Sequence, residues 1–179
     1  MIDYIKIIQK YYKTDSLAYQ TLIRHSRSVC DKALHLASLH PELHIDQQFV
    51  TEGAMLHDIG IFLCDAPDLD CHGTEPYIKH GLLGAELLRS EGLEQHARVC
   101  ERHTGVGITV DDIISQKLPL PIRDFSPETI EEKLICYADK FYSKTHLDRE
   151  RTPEQVVSSM RKFGEESVRR ILSLQQLFC

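Results

Sequence analysis

The chain has 179 residues, 42% of them hydrophobic and 27% charged, with a formal net charge of −6. This is the make-up of an ordinary globular protein long enough for one core, and its acidic balance argues against non-specific attachment to nucleic acid or to anionic membranes. No apolar run approaches the roughly 20 residues that span a bilayer, and the opening "MIDYIKIIQKYYKTDS" lacks the apolar centre and cleavage site of a signal peptide. A cytoplasmic protein of one domain, residues 1–179, is expected. Its six cysteines form no C-x-x-C pair, so they read as small apolar residues in a reducing compartment, not as structural zinc ligands.

Nearly every segment has helical period, and almost none alternates as a strand would. A first short helix falls at about Tyr4 to Tyr12. Asp15 or Ser16 caps a long second one reaching about His40, with a stripe through Tyr19, Leu22, Val29, Ala33 and Leu36 and with Pro41 beyond its end. The third runs from about Asp46 to Ile59, where Gly60 offers a stop. The loop "CDAPDLDCHGTE" is acidic and rich in turn formers. Pro76 suits the first turn of a fourth helix, "PYIKHGLLGAELLRS", and Gly92 separates it from a fifth that ends near "ERHTG". A short helix at Asp111 to Gln116 precedes the proline-bearing loop "KLPLPIRDFS". The next helix, "SPETIEEKLICYADKFYSK", starts at Ser126 as cap with Pro127 at its first position and acidic residues in its first turn. Thr152-Pro153 opens a penultimate helix, and Gly164 divides it from the last. The expected fold is all-α, a compact helical bundle.

Within that bundle, "AMLHDIGIFLC" sets His57 and Asp58 side by side in an apolar run. An unpaired carboxylate there is costly, and buried charges are paired or bind metals. Other helices repeat the oddity. His25 shares a flank with Leu22, Val29 and Leu36; His80 lies with Tyr77, Gly84 and Leu87; His103 lies with His96, Val99 and Cys100; Asp139 lies with Ile135, Cys136 and Tyr142. A lone core-facing histidine is usually satisfied by a hydrogen bond, and His35, His40, His44, His72, His96 and His146 read that way. Five helices each carrying such a residue towards one core point instead to a buried metal.

The order His25, then His57-Asp58, then Asp139 resembles the HD superfamily of metal-dependent phosphohydrolases over about residues 20–145, with 146–179 as a C-terminal helical extension. "HDIG" is a common form of its central motif, and "YADK" is similar to its final aspartate motif. The resemblance implies one metal on His25, His57, Asp58 and Asp139. "KHGLLGAELL" and "ERHTGVG" resemble the added histidine motifs of members with more than one metal, which implies a second ion on His80 and His103 with Asp58 bridging. Imidazole and carboxylate without thiolate suit iron, manganese, cobalt, nickel or zinc.

The implied function is hydrolysis of a phosphate ester or anhydride by metal-activated hydroxide, on a nucleotide-like small molecule. That class covers phosphomonoesterases, phosphodiesterases and dinucleoside polyphosphate hydrolases. Asp58 and Lys140 are the candidate catalytic residues; Lys140, Lys144, Lys79 and Arg102 are candidates to hold the phosphate. "HDIGIFLCD" lacks the Glu-Asp pair of the alarmone hydrolases in the superfamily, and the chain has no Gly-Tyr-Pro signature of its cyclic-di-nucleotide phosphodiesterases. The small stand-alone hydrolases remain as the group it looks most like. A non-catalytic metal or nucleotide sensor that retains the ligands is the alternative reading, and oligomeric state stays open.

Overall fold

A computed structural model describes residues 2–179. Among them are nine α-helices: α1 (Tyr4–Tyr11), α2 (Leu17–Leu39), α3 (Gln47–Leu56), α4 (His80–Ser90), α5 (Glu94–Arg102), α6 (Val110–Gln116), α7 (Ile130–Asp139), α8 (Pro153–Met160) and α9 (Glu165–Phe178). None of the described helices is long and apolar enough to cross a membrane.

The all-α expectation holds, with one small addition. Inside the acidic loop, β1 (Asp65–Ala66) pairs antiparallel with β2 (Cys71–His72) across a turn at Pro67–Leu69. Asp70 there takes φ 56°, a left-handed conformation that Asp tolerates better than most residues.

Several helix ends differ from the expectation, each for a local reason. Helix α7 is capped by Thr129, not Ser126. Thr129 Oγ1 accepts from the Glu132 N–H, and the Glu132 carboxylate accepts from the Thr129 N–H. This reciprocal box satisfies two otherwise orphaned donors, which a lone serine cannot do. The same helix stops at Asp139 instead of running on through Lys144. Pro76 lies outside α4, because a 3-10 turn at Tyr77–Lys79 comes first and the α-helix begins at His80 itself. Helix α3 stops at Leu56, and a 3-10 turn covers Ile59–Leu63. The Thr152-Pro153 start of α8 is as expected, with the proline at the first helical position.

Gly60 does not end a helix. A Cβ on it would lie 2.3 Å from the His80 carbonyl oxygen and 2.4 Å from the Gly84 nitrogen. Only a glycine lets the turn after His57-Asp58 press against the start of α4. That approach sets His80 beside Asp58.

Two apolar clusters flank this seam. One joins α2, α3, α7, α8 and α9 through Val29, Ala33, Val50, Leu134, Ile135, Phe141, Val156, Ile171 and Phe178. The other joins α1, α2, the end of α3 with the turn after it, α4 and α5 through Ile8, Leu22, Leu56, Ile59, Leu88 and Cys100. A fully buried side chain of this kind contributes roughly 1.5–3 kcal/mol. The two clusters hold the polar residues between them against their desolvation cost.

Candidate metal centre

Three of the histidines are oriented by their own chain. Nδ1 of His57 lies 2.6 Å from the Ala54 carbonyl, Nδ1 of His80 lies 2.7 Å from that of Tyr77, and Nδ1 of His103 lies 2.6 Å from that of Cys100. A carbonyl only accepts, so each Nδ1 carries the proton and each Nε2 is turned outward as a ligand atom. The geometry comes from helix ends. His57 and His103 are the C-caps of α3 and α5, where carbonyls three residues earlier lack an intrahelical donor.

The Nε2 atoms converge on Asp58, which is fully buried. Its Oδ2 lies 3.2 Å from His25 Nε2 and 3.0 Å from His57 Nε2. Its Oδ1 lies 3.3 Å from Nε2 of both His80 and His103. Asp139 brings Oδ1 to 2.9 Å from His25 Nε2 and 3.6 Å from His57 Nε2. Ligand atoms of His25, His57, Asp58 and Asp139 all lie within 4.8 Å of one another, and so do those of Asp58, His80 and His103. Bonds of about 2.0–2.2 Å put two ligand atoms at most about 4.4 Å apart across an ion, so both sets are close to binding size.

The protein alone does not satisfy this cluster. Both carboxylate oxygens of Asp58 and the Nε2 of His57 are buried without a partner along a hydrogen-bonding direction. Nε2 of His80 and of His103 stand 3.0 Å apart. Burial pushes the His103 imidazole down to about 3, so its Nε2 presents a lone pair. Two ring nitrogens at that distance need a proton or a cation shared between them. Burial also opposes a charge on His57, but the Asp58 and Asp139 carboxylates overcome it and raise the group to about 9. Asp58 stays ionised despite its burial because His57 and Lys144 are beside it, and Asp139 does so because of Lys140 and Lys144. The donor set is consistent with divalent metal binding: it offers negative charge and aimed lone pairs around two centres.

The basic residues divide. Lys144 comes to the cluster, with Nζ 2.8 Å from Asp58 Oδ2. Lys140 is buried and donates to Asp139 Oδ2 at 2.6 Å and to the His103 carbonyl at 3.1 Å. Its position makes it an orienting group for Asp139. The other two expected phosphate-holding residues, Lys79 and Arg102, bond to other partners. Lys79 pairs with Glu75 at 2.7 Å on the surface. Arg102 donates to the Ser126 carbonyl at 2.5 Å and to Glu128 at 2.7 Å, tying α5 to the segment before α7. Each is held in an ion pair with a residue outside both ligand sets.

His96 bonds Glu52 Oε2 at 3.1 Å and joins neither ligand set, and the acidic loop supplies no ligand to either set. Two contributors were missing from the sequence reading. Tyr77 stacks on His80 with ring centroids 4.7 Å apart, and burial pushes its phenol up to about 12. Its place three residues before His80 was the available signal. Cys100 donates its thiol to the His57 carbonyl at 2.9 Å.

Histidines and aspartates gathered from separate parts of a helical fold, in a set consistent with divalent metal binding, define an α-domain with a candidate metal centre. The chain belongs to the HD-domain family, whose model matches residues 22–143. An uncharacterized protein of Methanocaldococcus jannaschii is 32% identical over 164 residues, which cover 89% of this chain and 88% of that one. A tRNA (cytidine(56)-2'-O)-methyltransferase of Thermoplasma volcanium is 32% identical over 174 residues, 96% of this chain and 44% of that protein. The enzyme of the same name from Picrophilus torridus is 37% identical over 127 residues, 70% of this chain and 33% of that protein. A Ribonuclease Y of Acidothermus cellulolyticus is 30% identical over 147 residues, 79% of this chain and 25% of that protein. The chain therefore spans less than half the length of either methyltransferase. No solved structure matches it.

Proposed function

We propose that this protein is a metal-dependent phosphohydrolase of the HD type, with two divalent ions, acting on a phosphate ester or anhydride of a nucleotide-like small molecule. The observation that carries the reading is Asp58. One carboxylate presents Oδ2 to His25 and His57 and Oδ1 to His80 and His103. A bridging carboxylate between two imidazole sets serves a pair of ions.

His25, His57 and Asp139 would hold the first ion, His80 and His103 the second, and Asp58 both. When bound, such ions activate water and polarise a phosphoryl oxygen. The remaining work falls to the chain. Nδ1–H bonds to Ala54, Tyr77 and Cys100 fix the tautomers, so ligand binding needs no ring reorientation. Lys140 holds Asp139 in place. Lys144 would be the group to meet the phosphate: with Asp58 engaged by an ion its ammonium would be free, and its four-carbon stem would let it reach a short way to an anion. Burial opposes its charge, but Asp58 and Tyr77 keep the group raised above the ordinary lysine value, so it remains a cation at neutral pH.

The relatives' names bear on substrate in one respect. The two methyltransferases act on tRNA by name, and the ribonuclease on RNA, so a short RNA belongs beside nucleotides in the panel. Methyl transfer itself is not carried over, since the shared region is a minor part of those proteins. The test is metal content of protein purified without chelator, followed by phosphate release from mononucleotides, dinucleoside polyphosphates, cyclic nucleotides and short RNA under several divalent metals. Two bound ions with hydrolysis of any of these supports the reading. Two bound ions with no turnover across the panel replaces it with a metal- or nucleotide-binding sensor.

A further inference from the structure

The metal centre contains a row of rings whose last member is not a ligand. Between ring centroids, His25 lies 5.4 Å from His57, His57 lies 4.7 Å from His103, His103 lies 5.0 Å from His80, and His80 lies 4.7 Å from Tyr77. The four imidazoles belong to the two candidate ligand sets. Tyr77 closes the row on its solvent side, with 37% of its surface exposed against 4% for His80.

Apolar packing does not account for the place of this tyrosine. Aromatic side chains usually bury a large area against apolar neighbours, yet Tyr77 joins none of the apolar clusters among the described residues. Its ring lies instead against His80, with the two planes 26° apart. That is an offset stack, which covers one face of the imidazole and keeps it from tilting that way.

His80 needs such support more than its counterparts do. His57 and His103 follow whole helices, at the C-termini of α3 and α5. His80 is the first residue of α4 and has only the three-residue turn Tyr77–Lys79 before it. A helical side chain leans back over the residues three and four positions earlier, and at the start of a helix that preceding turn has to be supplied. Tyr77, three residues earlier, supplies it twice. Its carbonyl accepts from the His80 Nδ1–H at 2.7 Å, which fixes the edge of the imidazole, and its ring covers the face. Any residue at position 77 would bring the carbonyl. Only an aromatic one brings the stack.

We propose that Tyr77 is a positioning residue for the second ion, its ring holding the His80 imidazole with Nε2 turned to Asp58 before the ion arrives. A ligand ring already held in place loses little freedom on binding, and the affinity of the site rises accordingly. The proposal rests on the two-ion part of the proposed function and not on hydrolysis.

The experiment titrates Co²⁺ into the full chain stripped of metal, with calorimetry and visible absorption following the first and second ions. Tyr77→Leu keeps the backbone carbonyl and an apolar side chain but loses the ring. Tyr77→Phe keeps the ring and loses the hydroxyl. Both changes remove the hydroxyl beside Lys144, so the comparison between them isolates the stack. The position lies outside the apolar clusters, so both variants should fold like the parent, as circular dichroism would check. Tyr77→Leu should bind the second Co²⁺ about 2- to 10-fold more weakly, the worth of one aromatic pair, with the first ion unchanged. Tyr77→Phe should bind both ions as the parent does. In metal-free protein the His80 Nδ1–H should exchange with solvent faster in Tyr77→Leu than in Tyr77→Phe or the parent, a readout that needs no ion.

A second ion held as tightly by Tyr77→Leu as by the parent overturns the proposal. So does a Tyr77→Phe variant as weak as Tyr77→Leu, which would assign the effect to the hydroxyl, and so does an equal loss of both ions, which would mark a general loosening. A parent that takes up one ion overturns the inference and leaves hydrolysis open. A parent that binds two ions, responds to Tyr77→Leu as expected and hydrolyses nothing keeps this inference and loses the proposed function. Two ions and hydrolysis with an unaffected Tyr77→Leu do the reverse.

Discussion

Lys144→Met should tighten metal binding while weakening the metal-free fold, and this opposite response tests the metal centre directly. Lys144 Nζ is 2.8 Å from Asp58 Oδ2, and its side chain is only 15% exposed. Two unit charges at that distance attract by about 6 kcal/mol at an effective dielectric constant near 20. Most of this is offset by the cost of desolvating the ammonium. An incoming divalent ion must expel the ammonium from Asp58, and the stem is long enough for Lys144 to retreat to solvent instead of being trapped against the ion. The net penalty on metal binding is therefore about 1–3 kcal/mol, which corresponds to roughly 5- to 150-fold in affinity. Methionine keeps the stem's volume and its apolar contacts, so the change isolates the charge.

The assay is a metal titration followed by calorimetry or competition with a chromophoric chelator, alongside melting curves with and without metal. Lys144→Met should bind the first ion roughly 5- to 150-fold more tightly. Its metal-free melting temperature should fall, because Asp58 loses its nearest cation, while the metal-loaded protein should melt close to the parent. An unchanged dissociation constant would refute the reasoning, since it would mean that the ammonium does not stand where the ion's charge is needed.

Four other outcomes are expected. Asp58→Asn keeps the shape but removes the shared negative charge, so metal content should collapse and phosphate release should fall by orders of magnitude; a variant as active as the parent would contradict the bridging role. His80→Ala should lower the ion count from two to one by elemental analysis and leave the four-residue set of His25, His57, Asp58 and Asp139 loaded. Gly60→Ala drives a methyl to 2.3 Å from the His80 carbonyl, so stability should fall by about 1–3 kcal/mol in denaturant unfolding, the range for overpacking, and the second ion should be lost before the first. Glu101 is buried against Arg89 at 3.1 Å and Arg123 at 2.9 Å. Burial raises its carboxyl, but the two guanidinium groups overcome this and hold it below the ordinary 4.5. A folded value below the unfolded one makes that stabilisation complete above about pH 4.5 and lost as pH falls through the folded value. The melting difference between parent and Glu101→Gln should accordingly be largest near neutral pH and shrink in acid.

Much of the fold could be read in the sequence because it rests on local pattern, while the ligand set followed from the resemblance of the His25, His57-Asp58 and Asp139 order to the HD superfamily. The helical period of each segment depends only on neighbours a few residues apart. A His-Asp pair in an apolar run is equally local, and it demands a partner whatever the tertiary structure. What escaped was what depends on distant chain. Ser126 and Thr129 are both acceptable caps, and the choice falls to Thr129 because Glu132 can return the bond. Gly60 looks like a helix stop until α4 is laid across it. His96 needed Glu52, 44 residues away, to be satisfied. Lys79 and Arg102 sit next to histidines in sequence, but neighbours along a helix point about 100° apart, so adjacency to His80 and His103 carried no information about direction. Lys144 lies beyond the end of α7, in a turn whose course no helical pattern predicts, and yet it reaches Asp58.

The placement of the centre at helix ends has an electrostatic consequence that ties ligand chemistry to substrate chemistry. Three helices, α3, α5 and α7, end at the cluster, at His57, His103 and Asp139 respectively. Each C-terminus carries about −0.5 of an elementary charge. Helix α4 alone begins there, at His80, and offsets one of the three. The carboxylates of Asp58 and Asp139 add to this negative charge, and it is balanced by cations drawn to the cluster: Lys140 donates to the His103 carbonyl, Lys144 pairs with Asp58, and His57 is held protonated between the two carboxylates. A centre balanced in this way offers phosphate no net attraction, while its carboxylates and imidazoles suit a divalent ion. On the proposed function, an anionic substrate would gain net attraction only with ions bound and Lys144 freed from Asp58. Phosphate affinity should therefore track metal occupancy, with inorganic phosphate failing to bind the metal centre of stripped protein and binding it once both ions are restored. Phosphate binding to the stripped centre as tight as to the loaded one would show that Lys144 and Lys140 suffice, and the ions would lose their place in substrate recognition.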